Sequence, residues 1–304
     1  MILAPLRGVT IRCFREAFAD VIREAGFTEA VTPFITAMSG YDPLKDRELC
    51  VTTASSPSSV CGADGEDAVV TQVRITPQFI GKDPEALRVC LERVKAAGYD
   101  TADLNCGCPF PMVRNKGRGS GLLRTPEVLR RMLEVGCAVM GEGKLSVKAR
   151  LGVDRSDELL KLMPLINSFP LRFLTVHART ARQMYAGSCD VEMFEKVAEA
   201  AKVPIVLNGD VEFPLSEKRK GFRFPIMVGR SFIRWLGTRD DVCELLERYI
   251  AASKAELCGD RPVLGRMKEL LAYWKDLPRW KRRWNVIKLC RSVDELKMAC
   301  CAMT

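Results

Sequence analysis

The chain has 304 residues, 47% of them hydrophobic and 28% charged, and carries a formal net charge of +9. That balance suits a soluble globular protein of one barrel-sized core or two ordinary ones. No run approaches the roughly eighteen apolar residues of a membrane span, and the basic excess favours a polyanionic partner without identifying one.

The single histidine, His177, excludes His-based zinc clusters. The 13 cysteines are odd in number and form no CxxC pair, which fits free thiols in a reducing cytoplasm better than a disulfide framework. The opening Met1-Ile2-Leu3-Ala4-Pro5 has no basic n-region or long apolar h-region, so no secretory signal is expected.

Apolar runs alternate with helical patterns from the first residue to about Phe232. Strands are expected at Met1–Pro5, Ala30–Ile35, Ala68–Arg74, Thr101–Asn105, Leu145–Arg150, Arg172–His177, Val203–Asn208 and Pro225–Val228. Apolar residues at i, i+3 and i+4 predict helices near Ile11–Glu24, Pro84–Ala97, Pro126–Gly141, Asp157–Ile166 and Val191–Ala201. Eight strands largely alternating with helices predict a (β/α)8 barrel over residues 1–235. A doubly wound sheet competes, but no GxGxxG follows the first strand. Ser39–Gly65 is a long polar insertion, and the stretch Phe213–Phe224 leaves little room for a seventh helix. After Phe232 the alternation stops. Helices are expected at Leu236–Ile250, Val263–Trp274, Trp280–Arg291 and Val293–Cys301, making 236–304 a helical appendix.

In a (β/α)8 barrel the site lies at the carboxyl ends of the strands. Those ends carry Pro5-Leu6-Arg7, Gln72, Asn105 with Cys108, Lys148 with Arg150, His177 with Arg179, Asn208 with Asp210, and Gly229-Arg230. Such a ring has several donors and few carboxylates, so no metal site is expected. It suits an anionic, planar, hydrogen-bonding cofactor, and flavin mononucleotide (FMN) fits, with its phosphate by Gly229 and Arg230 and Gln72 at the ring edge. Lys148 is placed to stabilise negative charge on the reduced ring. In the appendix, Lys275-Asp276-Leu277-Pro278-Arg279-Trp280-Lys281-Arg282-Arg283-Trp284 has two readings. Arg and Lys interleaved with tryptophan suit phosphate contact plus base stacking; alternatively, this is a solvated face with its tryptophans turned to the core.

Seven stretches in order, LAPLRGVT, TQV, DLNCGCP with its glycine-rich continuation to LL, SVKARLG, TVHARTARQMYAG, PIVLNGDV and MVGR, closely resemble the tRNA-dihydrouridine synthases over about residues 1–235. The stretch Leu264-Gly265-Arg266-Met267-Lys268 and the pair Tyr273-Trp274 most resemble the bacterial C-type branch, which acts on uridine 16. The resemblance implies an FMN-dependent enzyme that uses NADPH to reduce the C5–C6 bond of a uridine in tRNA, with hydride from flavin N5 to C6 and a proton from Cys108 to C5. It places FMN contacts on Pro5, Leu6, Arg7, Gln72, Lys148, His177, Asn208, Asp210, Gly229 and Arg230, and uracil contacts on Asn105, Arg150 and Tyr185. Lys275, Arg279, Arg282 and Arg283 are expected to meet tRNA, and the protein is expected to be a cytoplasmic monomer. Arg7 departs from the small, polar or acidic residue usual in the family, Ile11 replaces a usual Asp, and no Asn-Pro-Trp ending follows Arg230. Two other readings compete: a small-molecule FMN oxidoreductase of the dihydropyrimidine or dihydroorotate dehydrogenase type, and a tRNA-binding protein without catalysis.

Overall fold

The structure is a computed structural model that describes residues 1–49, 73–215 and 223–301. Ten parallel segments form one ring-like sheet: β1 (Ile2–Leu3), β2 (Glu29–Val31), β3 (Ile35–Thr36), β4 (Arg74–Thr76), β5 (Gln78–Ile80), β6 (Ala102–Cys106), β7 (Leu145–Gly152), β8 (Leu174–Thr180), β9 (Ile205–Asn208) and β10 (Ile226–Val228). Residues 29–36 are one barrel strand interrupted at Pro33, and residues 74–80 are another interrupted at Pro77, because proline has no N–H for the ladder. The two run side by side: β2 pairs with β4, β3 pairs with β5, and Gln78 N donates to Thr32 Oγ1 at 3.0 Å between them. β1 pairs with both β10 and β2, so eight barrel strands close the ring.

The expected barrel is therefore present, with local shifts. The third strand begins at Arg74 and runs on past Pro77, later in the chain than its expected position; Ala68–Gln72 lies outside the described residues. The first helical pattern breaks at Phe18 into Arg12–Ala17 and Ala19–Glu24. Among the described residues, no helix lies between β9 and β10; residues 216–222 fall outside them. The described part of the polar insertion forms a short 3-10 turn at Pro43–Lys45, and Glu48 pairs with Arg15 at 2.8 Å.

Alternate strand residues fill the barrel. Ile2, Ala4, Val31, Phe173, Val206 and Met227 make a small apolar cluster of their own, while Asp103, Asn105, Ser146 and Lys148 on β6 and β7 share a polar period-2 pattern. At the amino ends of the strands, Arg172 donates to both carboxylate oxygens of Glu29 at 2.7 Å, and Thr76 Oγ1 adds a third bond to that carboxylate. This network forms the floor.

The C-terminal helices share one hydrophobic cluster with the barrel, running from Leu3 and Val228 to Leu296 and Cys300. Helix Val242–Glu256 lies on Arg12–Ala17, with the Tyr249 ring edge-on to Phe14 at 5.7 Å and Glu256 bonded to Arg12 at 3.2 Å. The helix expected over Trp280–Arg291 is instead two short turns, Pro278–Lys281 and Trp284–Ile287. Trp274 and Trp280 are almost fully buried, 4.8 Å apart, and their indole N–H groups donate to Ile233 O and Gly237 O, each at 2.6 Å. Of the two readings of this segment, Trp280 follows the one that turns it to the core. No helix among the described residues is long and apolar enough to cross a membrane.

Candidate active site

A cavity of about 570 Å³ opens over the carboxyl ends of β1 and β7–β10. Its wall brings together Pro5, Leu6, Lys148, His177, Asn208, Asp210, Gly229 and Arg230, with Tyr185, Tyr273 and Lys275 at the same opening. Lys148 Nζ donates to Asn208 Oδ1 at 2.7 Å, and Asn208 Nδ2 donates to Met227 O at 2.8 Å, so the amide orientation is settled by its partners. Burial, and then the nearby Arg150 charge, push the Lys148 ammonium down to about 7 against the pull of Asp103. His177 is driven well below its ordinary range by burial and by Lys148, Arg150, Arg179 and Arg230, so its ring is neutral. Its Nε2 lies 3.3 Å from Arg179 Nη1, which makes that nitrogen an acceptor.

Arg179, 2% exposed, also pairs with Asp210. Burial works upward on the Asp210 carboxyl, but the Arg179 hydrogen bond and charge outweigh it and lower the pKa. Between these residues Gly209 has φ +103°, and a Cβ there would lie 2.7 Å from His177 Cδ2, so only glycine fits. Cationic groups therefore outnumber carboxylates at this end of the cavity. That chemistry fits a phosphate and a planar ring with hydrogen-bonding edges, as FMN has. No cluster able to hold a metal ion occurs among the described residues.

Cys108 lies just past β6, 7% exposed, on a loop held from beneath. Asn105 Oδ1 accepts from Gly107 N at 3.1 Å and Cys108 N at 2.9 Å, and Asn105 Nδ2 donates to Gln78 Oε1 at 2.7 Å. Gln78 Nε2 in turn donates to Asp103 Oδ2 at 2.8 Å, and Ser146 Oγ to Asp103 Oδ1 at 2.6 Å. A chain of buried bonds thus runs from β7 to the Cys108 amide, and Asn105 positions the thiol. Burial raises the Asp103 carboxyl to about 6, with the Ser146 and Gln78 bonds opposing. Burial also raises the Cys108 thiol, while Phe110 N–H, Arg7 and Arg150 act in the other direction. The thiol is therefore protonated at neutral pH.

Arg150, 2% exposed, has no carboxylate among its hydrogen-bond partners. Its Nε donates to Gly107 O at 3.0 Å, and its Nη1 to Thr180 O at 2.9 Å and Met184 O at 2.6 Å. The Tyr185 ring lies between Arg150 and Arg230, at 5.3 and 4.8 Å from the two guanidinium carbons. Burial brings the Arg150 guanidinium down to about 10.

Arg7 is exposed and stacks over Phe34 at 5.2 Å, close enough to act on Cys108. Gln72 lies outside the described residues; the amide that the structure places below Cys108 is Gln78, which the sequence reading passed over. The available signal is the stretch Ile75–Ile80, in which Gln78 stands between Pro77 and the apolar pair Phe79-Ile80 ahead of a proline-led helix. Asp103 was missed for a related reason, since it lies inside a run that reads as buried strand. Lys275 reaches the cavity rim, and Arg282 is exposed. Arg279 turns to Arg239 O at 3.3 Å, and Arg283 holds the Cys300 carbonyl.

The closed parallel ring, with a cavity lined by several cationic groups at the carboxyl ends of its strands, defines a TIM-barrel protein. The chain belongs to the dihydrouridine synthase family: the family model described as Dihydrouridine synthase (Dus) matches residues 2–231. It is 28% identical over 216 residues to tRNA-dihydrouridine synthase B of Pseudomonas aeruginosa, covering 70% of this chain and 59% of that one. It is 28% identical over 214 residues to tRNA-dihydrouridine(16) synthase of Salmonella typhimurium, covering 69% and 64%. The chain thus spans less than two thirds of these two relatives. Against tRNA-dihydrouridine(16) synthase of Yersinia pestis the 28% identity extends over 298 residues, 90% of this chain and 89% of that one. Among solved structures, a morphinone reductase variant in complex with tetrahydroNAD superposes with a TM-score of 0.50 over 77% of this chain and 83% of that one. At 12% identity, that likeness is one of fold.

Proposed function

We propose that this protein is an FMN-dependent, NADPH-using tRNA-dihydrouridine synthase that reduces the C5–C6 double bond of uridine 16 in the D-loop. The observation that carries this reading is a buried thiol kept protonated, on a loop joined through Arg150 and Tyr185 to a cavity lined by Lys148, Arg230, Arg234 and Lys275 against Asp210, Glu212 and Asp276. Pro5, Leu6, Arg7, Lys148, His177, Asn208, Asp210, Gly229 and Arg230 would hold FMN, which when bound would supply the hydride needed at C6 of the uracil. Cys108 gives its proton to C5, and the thiolate left behind is stabilised by Arg150 and Arg7, which both act on this sulfur. Asn105 fixes the loop, while Arg150 and Tyr185 hold the uracil from the opposite side. The neutral ring of His177 donates or accepts a hydrogen bond without adding charge, and Lys148 balances negative charge on the ring edge.

A stacked base cannot reach this depth, so the uridine is flipped out of the RNA. Residues 1–235 act as the catalytic barrel. Residues 236–304, with Lys275, Arg279, Arg282 and Arg283, hold the tRNA body and select the uridine by shape and phosphate placement. The protein works as a monomer in the cytoplasm.

Position-by-position dihydrouridine mapping in tRNA from cells with and without the gene tests this reading. Loss at position 16 alone is the expected result. Unchanged tRNA, together with a yellow protein that oxidises NADPH and reduces free pyrimidines, would assign the site to a small-molecule oxidoreductase.

A further inference from the structure

The loop that follows Cys108 carries three basic residues and no acid between Phe110 and Arg118. It folds as the turn Pro111–Arg114, in which Gly117 N donates to Arg114 O at 2.9 Å and Arg118 N to Val113 O at 3.3 Å. Arg114 and Arg118 therefore occupy one compact turn. Ser120 ties that turn to Cys108, its N and Oγ both donating to Cys108 O at 3.2 and 2.8 Å. Gly119, at φ +57°, passes so close that a Cβ would lie 2.8 Å from Cys108 Cβ.

The two guanidiniums differ from those around them. Arg88, Arg93 and Arg124 are each ion-paired, with Glu85 and Glu92, Asp42 and Asp154 respectively. Arg114 and Arg118 have no such pair among the described residues, and the Nε of each is enclosed without a hydrogen-bond partner. Solvated surface arginines do not have this environment. Their stems are packed, so part of the ordering entropy is already lost before any ligand arrives. The enclosed Nε is out of a ligand's reach and fixes where each guanidinium sits, while the terminal amino groups are not among the enclosed unpaired atoms. A phosphate, taken bidentately through those two terminal groups, supplies an acceptor and the missing negative charge. Phe110, 43% exposed, adds a ring face in the same turn on which a base can stack.

We propose that Arg114 and Arg118 form a phosphate-binding site for the RNA strand that carries the target nucleotide. The proposal rests on the tRNA reading above and extends it to a second contact region. In the ring, β6 stands four strands from β10 in either direction, whereas the C-terminal helices cluster with β1 and β10. RNA held at both places spans the mouth, with the flipped base entering between them beside Cys108.

The test compares Arg114→Glu/Arg118→Glu with Arg114→Lys/Arg118→Lys in the full, flavin-loaded protein. Unmodified tRNA affinity is followed over a salt series, beside dihydrouridine yield and melting temperature. The glutamate pair is expected to raise Kd about tenfold or more. It should also flatten log Kd against log salt by about 1.4, the value for two single-strand phosphate contacts. The lysine pair should keep most of the salt slope and lose turnover, because a point charge does not fix register as a fork does. Unchanged affinity and slope in the glutamate pair would overturn the site. Weaker binding in both pairs with a matching fall in melting temperature would assign the arginines to the fold and also overturn it. A wild-type protein that neither binds tRNA nor forms dihydrouridine would instead remove the functional reading; active wild type with indifferent variants removes only this site.

Discussion

The floor and the mouth of this barrel both enclose arginine, in opposite ways. At the floor, the two ends of the Arg172 guanidinium meet the two oxygens of Glu29, and Thr76 completes the carboxylate's shell. At the mouth, Arg150 is more deeply buried yet has no carboxylate partner, bonding to three backbone carbonyls and to the Tyr185 side chain, and Lys148 leans on an amide. A buried charge is expensive unless compensated. The floor compensates within the chain and acts as structure. The mouth leaves positive charge over, which the anionic cofactor proposed above would compensate.

The largest expected effect lies at the mouth and concerns chemistry alone. Cys108→Ala should lower dihydrouridine formation by about 10²- to 10⁴-fold, the usual worth of a general acid, with bound flavin retained. Cys106→Ala should stay active, because Cys106 is sealed within β6 and burial drives its thiol far up. Equal losses in single-turnover assays of the two variants would mean that the proton comes from elsewhere.

Substituting the two arginines sharpens the contrast in stability. Arg172→Met strands the Glu29 carboxylate and should cost about 3–5 kcal/mol in urea unfolding. Arg150→Met strands three carbonyls and the Tyr185 side chain but no carboxylate, and should cost about 1–3 kcal/mol, while abolishing dihydrouridine formation. An Arg150→Met cost as large as that of Arg172→Met would erase the distinction between the two ends.

A pH series tests the uncompensated charge directly. Lys148 falls from an ordinary 10.5 to about 7 in the folded protein, with burial as the main cause. Between those values the unfolded chain holds a proton that the native state lacks, so the stability of flavin-free protein should rise with pH across that window. The gain disappears below about 7, where both states are protonated. Lys148→Met should flatten the rise; an identical slope in this variant would clear Lys148 as its source.

The smallest effect is expected at the outer surface of the C-terminal helices. Arg282→Glu, at an exposed position, should lower the salt slope of tRNA binding by about 0.7, one single-strand phosphate contact, and leave unfolding unchanged. Trp280→Ala should do the reverse. Its indole is buried and bonded to Gly237 O, so about 3–5 kcal/mol of stability is expected to go with it.

Much of this architecture is legible in the amino-acid sequence. Alternating apolar runs and helical patterns announced the barrel, and polar residues at the ends of those runs predicted the set that lines the cavity, Lys148, His177, Asn208 and Arg230 among them. The reading failed where local pattern and pairing part company. Pro33 and Pro77 each split a strand, so the third strand runs later than its apolar pattern predicts; Gln72 lies outside the described residues, and Gln78 is the amide that bonds to Asn105. The Lys275–Trp284 segment is equally compatible with a binding face and a core face, since composition does not say which way an indole points.

By itself, then, the sequence determined the periodicities, the number of barrel strands, the excess of positive charge and the chemical identity of the groups at the strand ends, because these are properties of neighbouring residues along one chain. Only the tertiary structure decided which charges are compensated. Arg172 finds Glu29 across 143 residues, Lys148 finds Asn208 across 60, and Gln78 reaches Asn105 from the adjacent strand. Compensation and desolvation depend on distances through space, and those distances are what distinguish an arginine paired to a carboxylate from one that has none.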